Sequence, residues 1–279
     1  MGKMNRHLRF KPATILTQIT LWLFSLTIVV PLLMALITSF KTSREAALFE
    51  FTFPAKIQWI NYLVVFTEGR LLNAFRNGII ISVTSVGLTI LFSSLAAYVL
   101  ARNKTKLNKL IYYFFILGLI DNIAFIPTIK TMQVLHIMNT IPGIILLYMA
   151  TSLAFCIFLY HGFFNAIPRE LDEAATIDGC SPLKLFFKII FPLLKPINLS
   201  VIVFVFMGVW NDFQFPLYFL NNSDYWTMPM TVFSFFGKYS QNWNLVFADI
   251  VMTILPVMLL YFFGQRFIVQ GLTAGAVKG

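Results

Sequence analysis

Charge is scarce in this chain. Only 11% of its 279 residues are Asp, Glu, Lys or Arg, against roughly a quarter in soluble globular domains, while 58% are hydrophobic. A water-soluble fold of this size does not hide that much apolar surface, so the chain reads as an integral membrane protein. Cysteine is scarce too. Cys156 lies in an apolar run and Cys180 in a charged one, which excludes a disulfide framework and offers no metal-ligand spacing. His7, His136 and His161 stand far apart, with no carboxylate or cysteine placed to complete a metal site or a catalytic triad. A G-x-x-x-x-G-K-S/T phosphate loop is absent, so any nucleotide-driven work needs another polypeptide. Internal repeats, long linkers and low-complexity runs are also missing, which favours one domain over residues 1–279.

What is present is apolar length. A bilayer core of about 30 Å takes about 20 apolar helical residues. Six segments qualify: 15–40, 77–101, 110–129, 140–165, 197–220 and 245–265. The boundary between the third and fourth rests on "HIMNTIPG" (His136–Gly143), whose Asn, Pro and Gly mark a turn. The first run is too long for a signal-peptide core and lacks a small-x-small cleavage site, so it reads as a retained span. With the N-terminus inside, the inner segments carry fourteen Lys and Arg and the outer ones seven. That bias places both termini in the cytoplasm. The net charge of +10 does not imply nucleic acid, because the basic residues are scattered over short loops. The outer loops, 41–76 and 221–244, hold Trp59, Trp226 and Trp243. They read either as an interfacial aromatic belt or as a folded surface that docks a partner.

One internal segment breaks the apolar pattern. Residues 167–196, on the cytoplasmic side, carry four acids and four bases. Pro168 suits a first helical position, and Glu170, Asp172 and Glu173 suit the positive end of a helix dipole. Gly179 suits a stop, so a short helix is expected over 168–178. Leu171, Ala174 and Ala175 should share a face, with Asp178 at its end. A second helix should start at once, capped by Ser181 with Pro182 in its first turn. Its stripe of Leu183, Phe186, Phe187 and Ile190, with Lys184 and Lys188 elsewhere, suits a helix lying along the membrane surface. A chain reversal needs only a few residues, and this segment spends about thirty on it, as functional connections do. It reads as a docking platform for a soluble protein.

These residues carry a resemblance. "EAATIDG" (Glu173–Gly179) followed by "IIFP" (Ile189–Pro192) resembles the EAA loop of membrane subunits of bacterial ABC importers; every fixed position matches except one Leu, here Phe191. "WNDFQFPLYF" (Trp210–Phe219) and "QRFIVQGLTAGAVKG" (Gln265–Gly279) are similar to the MalG-like carbohydrate branch. The resemblance implies an all-α, six-span, type I ABC importer transmembrane domain, multi-pass in the bacterial cell membrane. It implies that Glu173, Ala174, Ala175, Asp178 and Gly179 dock a cytoplasmic ATPase. It implies that the cytoplasmic tail, 266–279, reaches between two ATPase subunits through Gly271, Leu272, Thr273 and Gly275. The expected partners are a second homologous permease subunit, two ATPase subunits, an extracytoplasmic solute-binding protein, a carbohydrate and the lipid bilayer. The chain itself is expected to hold no cofactor and no metal and to catalyse nothing, with ATP and Mg on the ATPase.

Polar groups inside spans need a separate account, because a charge at mid-bilayer costs about 2.5–3.5 kcal/mol on insertion scales. Asn122, beside Asp121, and Asn211 with Asp212 either line a sugar path or bond a neighbouring helix. Asp249 is expected within reach of water near the outer end of the sixth span. An ion-coupled secondary carrier would use such groups at broken helices near mid-membrane. That alternative leaves the charged platform unexplained.

Overall fold

The structure, a computed structural model, describes residues 12–120, 123–236 and 242–276, and within those ranges side chains at 17–259 and 261–262. Among the described residues the regular structure is helical, without an extended strand. Helices α1 (Pro12–Ser39), α2 (Ser43–Ala46), α3 (Ile60–Glu68) and α4 (Leu71–Arg102) come first. Then follow α5 (Lys106–Leu117), α6 (Phe125–Val134), α7 (Ile141–Phe164) and α8 (Glu170–Ile177). The chain continues through α9 (Pro182–Leu193), α10 (Lys195–Asn211), α11 (Gln214–Phe219) and α12 (Trp243–Ala276). Two compact units result: Met1–Gly69 with Val232–Met252, and Arg70–Thr231 with Thr253–Gly279.

Among the described residues three helices are long and apolar enough to cross a membrane: α1 from Thr17, α4 and α7. A fourth is added if α9 and α10, bent by 78° at their junction, form one span. The expected third span, 110–129, is not one helix. Its first part, α5, has 12 residues, about 18 Å of helix. It stops at Gly118, and α6 restarts after Ala124 with Pro127 inside its first turn. The expected fifth span is broken too, since α10 ends at Asn211 and Asp212 takes extended backbone angles before α11. The turn at 136–143 is where the sequence puts it. His136 and Asn139 are left-handed, and the Thr140 hydroxyl accepts from Gly143 N at 3.1 Å. A β-carbon on Gly143 would stand 2.0 Å from the Ile137 carbonyl oxygen, so no other residue fits there.

The unit built on α4 has its core where α4, α7 and α10 meet. On α4, Ser82, Ser85, Thr89, Ser93, Ser94 and Ala97 are fully enclosed. Small side chains let backbones come close, the usual device of helix contacts in membranes. Opposite them stand Ile144, Tyr148, Ile157, Tyr160 and Phe164 of α7 and Val201, Val205 and Val209 of α10. Tyr160 donates to Asn198 Oδ1 at 2.6 Å and so ties α7 to α10. At the far end of α4, Asn73 and Asn77 donate to the Asp224 carbonyl at 2.8 Å. That holds the segment after α11.

In the other unit the part of the 41–76 segment that belongs to it, 41–69, is folded. Thr42 and Glu45 form a reciprocal capping box at α2. Lys41, 1% exposed, gives its ammonium to the Glu50 carbonyl at 2.6 Å. Asn61 donates to the carbonyls of Ser39 and Lys41 at 2.8 and 2.9 Å, and Asn244 donates to Asn61 Oδ1 at 2.9 Å. Trp243 packs edge-on against Phe49 at 4.8 Å. Trp243 is therefore part of a folded surface rather than a simple belt. Asp249 is 1% exposed rather than open to water, which corrects that expectation. The start of α12 is enclosed by this surface: Val246 and Ala248 are buried as well.

Candidate functional site

The charged platform folds as two short helices in an order close to the one its sequence suggests. The first, α8, begins at Glu170, two residues later than expected, with Arg169 as its N-cap. Pro168 stays outside the helix, and its carbonyl accepts from Arg102 Nη2 at 3.4 Å. Glu170, Asp172 and Glu173 occupy the first turn, where carboxylates oppose the helix dipole. The stop is a Schellman motif: Gly179 N donates to Thr176 O and Cys180 N to Ala175 O, each at 3.0 Å. Gly179 has φ +74°, a left-handed angle that costs a residue with a β-carbon about 1–2 kcal/mol.

The faces of α8 divide differently from the expected pattern. Glu170, Glu173, Ala174, Ile177 and Asp178 are exposed, and their spacing of three and four makes them one stripe. Ile177 is 86% exposed, an apolar side chain held out at the centre of that stripe. Sequence reasoning missed it, although its place three residues after Ala174 was the available signal. Ala175 points the other way. It is 4% exposed and packed in the core with Leu185 and Phe186, so it seats α8 on its own chain instead of presenting a docking face. Gly179 remains exposed at the helix end.

The second helix departs further. Ser181 precedes α9 in extended conformation, but its side chain caps nothing. Phe186–Ile190 is a π-helical turn, which inserts an extra residue per turn and shifts the register. The buried set becomes Leu185, Phe186 and Ile190, followed by Leu194, while Leu183 is 67% and Phe187 45% exposed. The uniform stripe read from α-helical spacing is thereby split.

Fasteners from the end of α4 hold α8 in place. Arg102 Nη2 lies 2.7 Å from Asp172 Oδ2, and Arg102 Nη1 donates to the Ile167 carbonyl at 3.1 Å. Arg169 reciprocates by donating to the Ala101 carbonyl at 3.2 Å.

A cavity of about 1000 Å³ opens among α5, α7 and α10. Phe114, Phe115, Phe125, Tyr148, Phe204 and Phe215 line it, with Thr151, Ser152, Asp212 and Gln214 as polar members. Of the expected path residues, Asp212 borders it. Its carboxylate is heavily engaged, accepting from Gln214 N at 2.8 Å, Phe215 N at 3.2 Å and Tyr148 OH at 2.9 Å. Asp212 therefore caps α11 and ties it to α7. Asn211 is exposed and bonds back to the Met207 carbonyl at 2.9 Å. Asn122 and Asp121 lie outside the described residues. Gly271, Leu272, Thr273 and Gly275 fall on the α12 backbone, and their side chains lie outside the described residues. Among the described residues no cluster of three or more His, Cys, Asp or Glu is placed to hold a metal.

Apolar helices around a large cavity, together with a short acidic helix fastened to them with one face free, are features that suit a membrane transport component. The chain belongs to the binding-protein-dependent transport system inner membrane components, whose family profile matches residues 3–273. It is a multi-pass membrane protein of that class. It is 38% identical over 258 residues to the melibiose/raffinose/stachyose import permease protein MelC of Bacillus subtilis strain 168, covering 90% of this chain and 91% of that one. It is 36% identical over 250 residues to the probable starch degradation products transport system permease protein AmyC of Thermoanaerobacterium thermosulfurigenes, covering 89% and 91%. A chain of the crystallised bacterial ABC transporter involved in import of the acidic polysaccharide alginate shares the fold, with TM-score 0.80 and 21% identity over 95% of this chain and 99% of that one.

Proposed function

We propose that this chain is the transmembrane subunit of an ATP-driven importer for a carbohydrate, in particular an oligosaccharide. The relatives named for melibiose, raffinose and stachyose and for starch degradation products support that substrate class. The observation that carries the mechanism is the exposed stripe Glu170–Glu173–Ala174–Ile177 on a helix fixed to the bundle. A knob with acidic flanks and one protruding apolar side chain suits a cleft with a basic rim in a cytoplasmic ATPase. ATP and Mg then belong to two ATPase subunits, and this chain converts their closure into alternating access. A second homologous permease subunit completes the pathway, and an extracytoplasmic solute-binding protein delivers the sugar to the folded outer surface.

In this reading the whole chain acts as one permease domain with six crossings: α1, α4, α5 with α6, α7, α10 with α11, and α12. The excess of Lys and Arg in the intervening inner segments supports cytoplasmic termini. The tail residues Gly271, Leu272, Thr273 and Gly275 reach the ATPase pair. The sugar passes the aromatic cavity, where Gln214 and Ser152 are the polar groups left to meet hydroxyls and Asp212 holds the wall in shape.

The test is Glu173→Lys. The variant is expected to insert normally and to lose the ATPase in pull-down. Normal pull-down overturns the docking assignment. Proteoliposomes holding this chain alone are expected to move no raffinose with ATP present; transport by the lone chain would return the ion-coupled carrier.

A further inference from the structure

Two carboxylates adjacent in sequence, Asp172 and Glu173, lie on different faces of α8, about 100° apart. Glu173 is exposed, whereas Asp172 is turned toward the C-terminal end of α4. There Tyr98 and Arg102, one turn apart, both reach it. Tyr98 OH donates to Asp172 Oδ1 at 2.5 Å. Arg102 Nη2 lies 2.7 Å from Asp172 Oδ2, with the two side chains only 12% and 18% exposed. The Tyr98 ring packs on Phe164 at the end of α7, with centroids 5.6 Å apart, and on Phe186 of α9, 5.3 Å away. One small cluster therefore touches α4, α7, α8 and α9. A mostly enclosed charge pair adds little net stability, but losing one member leaves an uncompensated charge. The directional contact is the hydrogen bond from Tyr98, while Arg102 adds an opposite charge at close range without a well-aligned hydrogen bond to Oδ2. A hydrogen bond and a close charge on one carboxylate hold two helices in a set relation better than apolar contact does.

We propose that Asp172 is a positioning residue: through Tyr98 and Arg102 it makes α8 and α4 move as one body, so that a displacement imposed on α8 is delivered to α4. This rests on the reading of α8 as the ATPase-docking helix. Glu173 receives the partner, and Asp172 passes the displacement on. Neither duty substitutes for the other.

The experiment uses the assembled importer, with spin labels at Leu72 on α4 and Thr176 on α8, both exposed. Their separation is measured without nucleotide and after trapping with ATP, Mg and vanadate. In the otherwise unaltered chain the separation is expected to stay constant between the two states. In Asp172→Asn the ATPase is still pulled down and ATP is still hydrolysed, but the separation changes on trapping by about 1–2 Å or more, the scale of helix shifts in switching assemblies. Asp172→Glu restores constancy. A residue that served folding alone would lower the yield of complex without creating a nucleotide-dependent distance. The proposal is overturned if the separation already changes in the unaltered chain, if it stays constant in Asp172→Asn, or if Asp172→Asn loses the ATPase. Failure of the docking assignment shows separately, as normal pull-down by Glu173→Lys.

Discussion

Asp212 offers the sharpest test of whether a polar group in a span serves the cargo or the fold. Its carboxylate accepts two backbone N–H groups at the start of α11 and the hydroxyl of Tyr148, which is itself 4% exposed. Asp212→Ala removes a cap, worth about 1 kcal/mol. It also orphans an enclosed phenol, at about 1–3 kcal/mol. The expected loss is about 2–4 kcal/mol in total. Asn caps as well as Asp, and its amide can donate to the Tyr148 oxygen. Asp212→Asn should therefore cost less than about 1 kcal/mol and leave transport near normal. Tyr148→Phe removes the phenol that needs a partner, so in that background Asp212→Ala should cost only the cap, about 1 kcal/mol. The assay is equilibrium unfolding in mixed micelles titrated with SDS, run as a double-mutant cycle. The reasoning fails if Asp212→Asn loses as much as Asp212→Ala, or if the alanine and phenylalanine effects simply add.

Two further outcomes follow from geometry. Glu45 accepts from the Thr42 amide, the Thr42 hydroxyl and the Ala55 amide, in that order of influence, and these hold its carboxyl below the ordinary 4.5. A depressed folded value means stabilisation present above the unfolded value and lost as pH falls through the folded one. A spin label at Leu48 should therefore gain mobility as pH falls below the ordinary glutamate range, and Glu45→Gln should flatten that response; an acid-insensitive label in the unaltered chain refutes it. On α8, Ala175→Leu should destabilise by about 1–3 kcal/mol through overpacking. Ala174→Leu should change stability by less than about 0.5 kcal/mol while weakening ATPase pull-down. Equal stability effects at the two alanines would refute the division of faces.

Much of this architecture is legible in the sequence because its signals are long. The apolar runs that became α1, α4 and α7 exceed a bilayer in length, and Asn139, Pro142 and Gly143 announce the turn before α7. The acidic first turn and Gly179 mark α8 to within two residues. What escaped reading depends on contacts distant in sequence. Ala174 and Ala175 look alike until Leu185 and Phe186 claim one of them. The π turn at Phe186–Ile190 has no composition of its own, so a 3.6-residue period assigns Leu183 and Phe187 to the wrong side. Asp212 resembles a ligand for sugar until Tyr148, 64 residues away, is found against it. Asp249 reads as wet from its place near the end of an apolar run, whereas its 1% exposure comes from packing that a linear pattern does not reveal.

The enclosed hydroxyls of α4 bear on how such a bundle changes shape. Ser82, Ser85 and Thr89 are fully buried, and among the described residues their hydroxyls find no partner across the seam. Contact along this seam is consequently a matter of fit, without directional bonds that must snap before anything slips. A small axial creep or twist of α4 trades one set of dispersion contacts for another of similar depth. The helix is pinned at both ends, by Asn73 and Asn77 at one and by Arg102 at the other, and lubricated between them.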